Sequence, residues 1–144
     1  MTRLKIPAWI AVMLRIVIAA IFIYAGISKA LTPLRFATDI DNFHILPWRM
    51  APLMAFYLPW LEIICGMALL FLRFDRGALL ILCTLTFVFA FALISARIRG
   101  IDISCGCFGH GARDLSFASH LMLNVGIMVA ILLLLKAPAA RERT

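Results

Sequence analysis

Charge is scarce in this chain. Only 15% of its 144 residues are Asp, Glu, Lys or Arg, where a soluble domain carries about a quarter. Hydrophobic residues make up 65%, and the mean hydropathy is +1.05. A water-soluble fold of this size has too little interior to hide that much apolar surface, so the natural solvent is lipid. The alternation of apolar and polar residues that marks a membrane β-barrel is also missing. That leaves helices, which satisfy their own backbone hydrogen bonds within hydrocarbon. Internal repeats, linkers and low-complexity tracts are lacking too, so a single domain over residues 1–144 is expected. Acidic residues number 7 against 14 basic ones, a net charge of +7. The basic residues gather at the edges of apolar runs, where they meet anionic headgroups. With no basic face interleaved with exposed aromatics, nucleic acid is excluded as a partner, and the lipid bilayer takes its place.

Four apolar runs reach the roughly 20 residues that a spanning helix needs: about 9–30, 51–72, 77–96 and 115–135. Stretches such as "ALLILCTLTFVFAFALI" are apolar all round, as a membrane helix is. The fold class expected is therefore all-α, an integral membrane four-helix bundle. The first run is too long for a signal peptide, is interrupted by Arg15, and precedes no clean small-residue cleavage site; it reads as a retained helix. "RFDRG" makes a tight hairpin between the second and third helices. The other two connections are long loops, "LTPLRFATDIDNFHILPWRM" and "RIRGIDISCGCFGHGARD". Four spans put both long loops on one side, with the termini and hairpin on the other. Arg3, Lys5, Arg73, Arg76, Lys136, Arg141 and Arg143 lie on the termini side. Lys29, Arg35, Arg49, Arg97, Arg99 and Arg113 lie opposite. The positive-inside rule favours cytoplasmic termini by one charge.

Ionisable residues inside these runs are costly in lipid and often mark function. Arg15 lies about 9 Å into the first helix. Glu62 lies near the middle of the second, at a depth differing by about 6 Å, within reach of an arginine side chain. Either the two form a structural ion pair, or Glu62 tunes a thiol, moves protons or binds a polar head. Pro59 bends the helix just before Glu62 and frees a carbonyl. Lys29, at the loop end of the first helix, is placed to extend to the headgroups. Among the remaining polar groups in the spans are Thr84, Thr86 and Asn124.

Of four cysteines, Cys65 and Cys83 lie within helices at similar depths and read as small buried apolar residues, the usual state of a free cysteine. Cys105 and Cys107 flank Gly106 in a glycine-rich loop. A bridge between them closes a very small ring, which Gly106 allows. A strained, exposed disulfide is an oxidising one, and Arg97, Arg99, Arg113 and His110 supply positive charge that favours thiolate. Redox exchange ranks first, two inert loop cysteines second. A metal site ranks third: Cys105, Cys107 and His110 give three ligands, with His44 or His120 as a fourth, but structural zinc sites use wider spacing, and no metal is assigned. No cofactor motif is present; a membrane quinone is one electron acceptor open to such a pair.

"LRIVIAAIFIYAGISKALTPLRFATDIDNFHILP" resembles the opening helix and loop of the DoxX-like membrane proteins, and "LPWLEIICGMALL" resembles their second helix with its glutamate. "CGCFG" is similar to the signature of the MauE, or methylamine-utilisation, branch. The resemblance covers roughly residues 10–135. It implies four membrane helices and a role near thiol redox chemistry. In the family that role is maturation of the disulfide-rich small subunit of methylamine dehydrogenase, often with a thioredoxin-fold partner. Carried onto this chain, the motif falls on Cys105 and Cys107, with Arg15, Lys29 and Glu62 as accompanying polar positions. The expectation is a thiol-disulfide oxidoreductase of the bacterial inner membrane. It would act through Cys105, Cys107 and Glu62, supported by Arg15, Lys29 and His110, on an exported thioredoxin-fold or disulfide-containing partner. Thiol oxidation is productive on the oxidising side, which puts the CGC loop in the periplasm and the termini in the cytoplasm. The competing class is a non-enzymatic assembly factor, or a carrier of a soft metal ion or small solute.

Overall fold

The computed structural model describes residues 7–45, 47, 49–71, 75–100 and 117–136. Within them the chain is helical, with no strand. It forms α1 (Ala8–Leu31), α2 (Pro33–Asn42), α3 (Met50–Leu70), α4 (Asp75–Ile98) and α5 (Phe117–Lys136). All but α2 are long and apolar enough to cross a membrane. Their outward faces carry large apolar side chains such as Tyr24, Phe56, Ile64 and Phe87, as expected where the solvent is hydrocarbon.

The four long helices pack in a ring: α1 against α3, α3 against α4, α4 against α5, and α5 back against α1. The termini-side half of the interior is largely aliphatic, although Arg15 of α1 is also buried there. Ile18 and Ala19 from α1, Leu69 from α3, Leu79 and Leu82 from α4, and Ile131 and Leu134 from α5 close it against one another. Cys65 and Cys83 are free thiols; Cys83 approaches Met128 Sδ at 3.4 Å.

The most intimate packing joins α1 to α3, and glycine permits it. A Cβ placed on Gly26 would lie 2.7 Å from the carbonyl oxygen of Pro59 and 2.7 Å from Ile63 Cγ1. A Cβ on Gly66 would lie 2.7 Å from Ile23 Cγ1 and 3.2 Å from the Ala19 carbonyl. Lipid supplies no hydrophobic force between helices, so close backbone approach through small residues does the joining. These two contacts also fix the antiparallel register: Gly26 stands opposite Glu62, and Ala19 opposite Gly66.

Residues 33–42 were expected as loop and instead form α2. Thr32 ends α1 because Pro33 can neither donate a hydrogen bond nor tolerate a helical predecessor. The same proline, with its fixed φ, then opens the next helix at its first position. One face of α2 is apolar, with Phe36 buried and Phe43 buried just past its end. Phe43 packs with Leu93 and Ala96 of α4. Arg99, one residue beyond α4, donates to the carbonyls of Phe43 and, at 3.3 Å, of His44. A guanidinium at the C-terminus of α2 satisfies carbonyls that the helix leaves open. The end of α4 and the end of α2 are thereby tied together.

Replacing Gly26 with alanine forces backbone apart from backbone, so a loss of about 1–3 kcal/mol is expected. Gly126→Ala, where a Cβ would meet nothing within 4 Å, is expected to be neutral or stabilising. Thermal unfolding of both variants in detergent checks this; equal stability would show that the α1–α3 approach is looser than described.

Candidate functional site

The inward stripe of α1 runs through Ala11, Arg15, Ile18, Phe22, Ala25 and Gly26 to Lys29, a spacing of three and four residues that keeps one face on the bundle. Lys29 is therefore on the face that meets α3, three residues beyond the Gly26 contact. Its side chain is 4% exposed and Glu62 is 1% exposed. Lys29 Nζ donates to Glu62 Oε1 at 2.6 Å.

This corrects two expectations. Lys29 does not extend to the headgroups, because α2 folds back over it and lays Phe36 across the ammonium. And Glu62 pairs with Lys29, not with Arg15. Arg15 is buried on the same stripe but lies eleven residues before Gly26, about 16 Å of helix rise from the level of Glu62. The expectation counted depths from the ends of the apolar runs as if those ends were flush. The glycine contacts instead set α1 so that its first turns overhang the end of α3.

Two aromatic rings complete the enclosure. Lys29 Nζ lies 4.5 Å from the ring centroid of Phe89 on α4 and 5.2 Å from that of Phe36 on α2, both within cation–π range. Thus α2, α3 and α4 each contribute one side chain to the ammonium that α1 carries. Glu62 Oε2 is buried and has no hydrogen-bond partner. It borders a cavity of about 40 Å³ that Lys29, Thr86, Phe89 and Asn124 also line, space enough for a water or a small polar group. Thr86 is buried and donates to the Leu82 carbonyl at 2.7 Å; Thr84 points outward and donates to Leu80 at 3.0 Å.

A larger cavity of about 340 Å³ lies next to this one, between α2, α3 and α4. Phe36 and Phe89 line it too, so the rings that cover the ammonium on one side wall this cavity on the other.

Cys105, Cys107 and His110 lie outside the described residues. Of the expected site, the structure brings together Lys29 and Glu62 and separates Arg15 from them. Among the described residues no three His, Cys, Asp or Glu side chains gather as metal ligands. Sequence reasoning missed Phe36 and Phe89. The signal for Phe36 was present: Phe36, Ile40 and Phe43 recur at helical spacing directly after a proline.

The family model described as methylamine utilisation protein MauE matches residues 7–137. A curated relative, methylamine utilization protein MauE of Paracoccus denitrificans, is 32% identical over 102 residues, 70% of this chain and 55% of that protein. The chain thus spans about half the length of the curated relative it matches. No solved structure matches it.

Removing one partner of a buried ion pair strands the other, at about 3–5 kcal/mol. Lys29→Met is expected to lose that much stability, and adding Glu62→Leu is expected to restore most of it. A double-mutant cycle by thermal unfolding in detergent measures the coupling; additive losses would show that the two side chains do not interact.

Proposed function

Because the chain belongs to the MauE family, we propose that it is a multi-pass protein of the bacterial inner membrane that serves methylamine utilisation by thiol-disulfide exchange. Cys105 and Cys107 carry the exchange. A thiolate of an exported thioredoxin-fold or disulfide-rich partner attacks one sulfur of the Cys105–Cys107 disulfide, and a mixed disulfide forms as the other sulfur leaves. The partner's second thiolate then displaces the pair. The partner ends with one new disulfide, and Cys105 and Cys107 end as thiols, having gained two electrons and two protons. Run in reverse, the same steps reduce the partner.

The observation that carries this function is the pairing of a Cys-Gly-Cys sequence, in the connection between α4 and α5, with a family match over nearly the whole chain. The end of α4, which leads into that connection, is held by Arg99 against the end of α2, and α2 covers the Lys29–Glu62 pair. A polar centre enclosed at the cysteine-bearing end of the bundle suits a thiol machine that must pass charge without opening a channel. Between Glu62 and Arg15 the α1 stripe is apolar, through Phe22, Ala19 and Ile18, so α1 offers a solute carrier no polar group along that stretch. In this proposal the termini are cytoplasmic and Cys105 and Cys107 face the periplasm.

In cells, Cys105→Ser or Cys107→Ser is expected to trap a covalent, reductant-sensitive adduct with an exported thioredoxin-fold protein and to abolish function. Non-reducing gels and mass spectrometry identify it. If neither variant yields an adduct and both stay active, the chain is an assembly factor that does no exchange. An impermeant maleimide should label Cys105 in whole cells; labelling only after lysis reverses the orientation.

A further inference from the structure

The small cavity beside the ion pair draws a polar side chain from each of the four spanning helices. Lys29 comes from α1, Glu62 from α3, Thr86 from α4 and Asn124 from α5. Glu62 is 1% exposed, and its Oε2 has no hydrogen-bond partner. A carboxylate oxygen buried in that way is costly, so this cavity calls for an occupant that donates to it.

Size, charge and hydrogen bonding each narrow that occupant. A water needs about 10–15 Å³ of such space, and an engineered cavity that takes benzene has about 150 Å³. At about 40 Å³ the site admits water and no ring. Lys29 Nζ stands 2.6 Å from Glu62 Oε1, so the two charges cancel locally. A metal cation would meet the ammonium and an anion would meet the carboxylate; a neutral molecule meets no such opposition. Thr86 already gives its hydroxyl proton to the Leu82 carbonyl and keeps its lone pairs, so it and Glu62 Oε2 are acceptors. Lys29 Nζ has protons beyond the one given to Glu62, and the Asn124 amide has two. Two acceptors and two donors complement a water molecule, which donates twice and accepts twice. We propose that this cavity binds an ordered water that donates to Glu62 Oε2 and accepts from Asn124, which makes Asn124 a positioning residue for the carboxylate.

The water completes the enclosure of Glu62. Lys29 holds one carboxylate oxygen, and the water holds the other, so the group cannot turn away from its partner. It also ties α5 into a polar centre that otherwise rests on α1, α2, α3 and α4. Water is, besides, a partner with which a buried carboxylate can exchange protons, which the neighbouring Phe22 and Phe89 rings are not. None of this depends on what Cys105 and Cys107 do.

The test uses the full chain, uniformly ¹³C- and ¹⁵N-labelled, in phospholipid bilayers. Proton-detected solid-state NMR resolves water protons from lysine ammonium protons and reads which carbons each one contacts. Water contact is expected at the Glu62 carboxyl and at Asn124 Cγ, with the interior carbons of Ile18 and Leu82 as the dry reference. Asn124→Leu is expected to abolish the water contact at Glu62 while the contact between Lys29 Nζ and Glu62 persists. Asn124→Ser, which keeps a polar group there, is expected to retain it. Exchanging sodium for choline in the buffer is expected to leave the Glu62 carboxyl shift unchanged. A Glu62 carboxyl as dry as Ile18 and Leu82 in the unaltered chain overturns the proposal, and no variant is needed to see it. A carboxyl shift that follows the alkali cation supplied also overturns it, by making the occupant a metal ion. Water contact undiminished in Asn124→Leu overturns the bridge to α5.

Discussion

One close contact governs the interior: the backbone of α1 at Gly26 against the backbone of α3 at Pro59. Because no side chain intervenes, the two helices cannot slide without a clash. That register stands Glu62 opposite Gly26 and brings Lys29, a turn later, to 2.6 Å from the carboxylate. An ion pair in a lipid-embedded bundle holds only if its geometry is good and its surroundings are closed. The glycine contact supplies the geometry, and Phe36 and Phe89 supply the closure.

The bundle consequently has two unlike halves. Toward the termini it is filled mainly with interlocking aliphatic side chains, with Arg15 buried on the α1 stripe. Toward α2 it carries a buried charge pair, a small polar cavity and a larger apolar one, all sharing aromatic walls. In the function proposed, the cysteines of the connection between α4 and α5 act at this second end. The division separates a mainly aliphatic half from the half that holds the buried charge pair. Arg99 links the two neighbours at this end by donating, from just past α4, to the carbonyls of Phe43 and His44 just past α2.

The four spanning helices were legible because runs of about 20 apolar residues have few other uses. Glu62 was legible as a buried group for the same reason: a carboxylate cannot face lipid. Its partner was not. Lys29 stands where a lysine ordinarily reaches outward, and the glycine register with Glu62 and the cover of α2 hold it inward. Arg15 looked nearer because depths were counted from run ends, while the register is set by glycines whose contacts a single sequence does not reveal. The ten residues of α2 were read as loop since they are short, polar on one side and open with a proline. Their Phe36, Ile40 and Phe43 spacing was the available clue.

The architecture at this end of the bundle depends most directly on Lys29 being turned into the protein. Solid-state NMR on the chain in phospholipid bilayers, with ¹⁵N at lysine Nζ and ¹³C at glutamate carboxyl, measures this. A direct dipolar contact between Lys29 Nζ and the Glu62 carboxyl, with no contact from Lys29 to lipid phosphorus, is the predicted result. Lys29 in contact with phosphorus and silent toward Glu62 would contradict it.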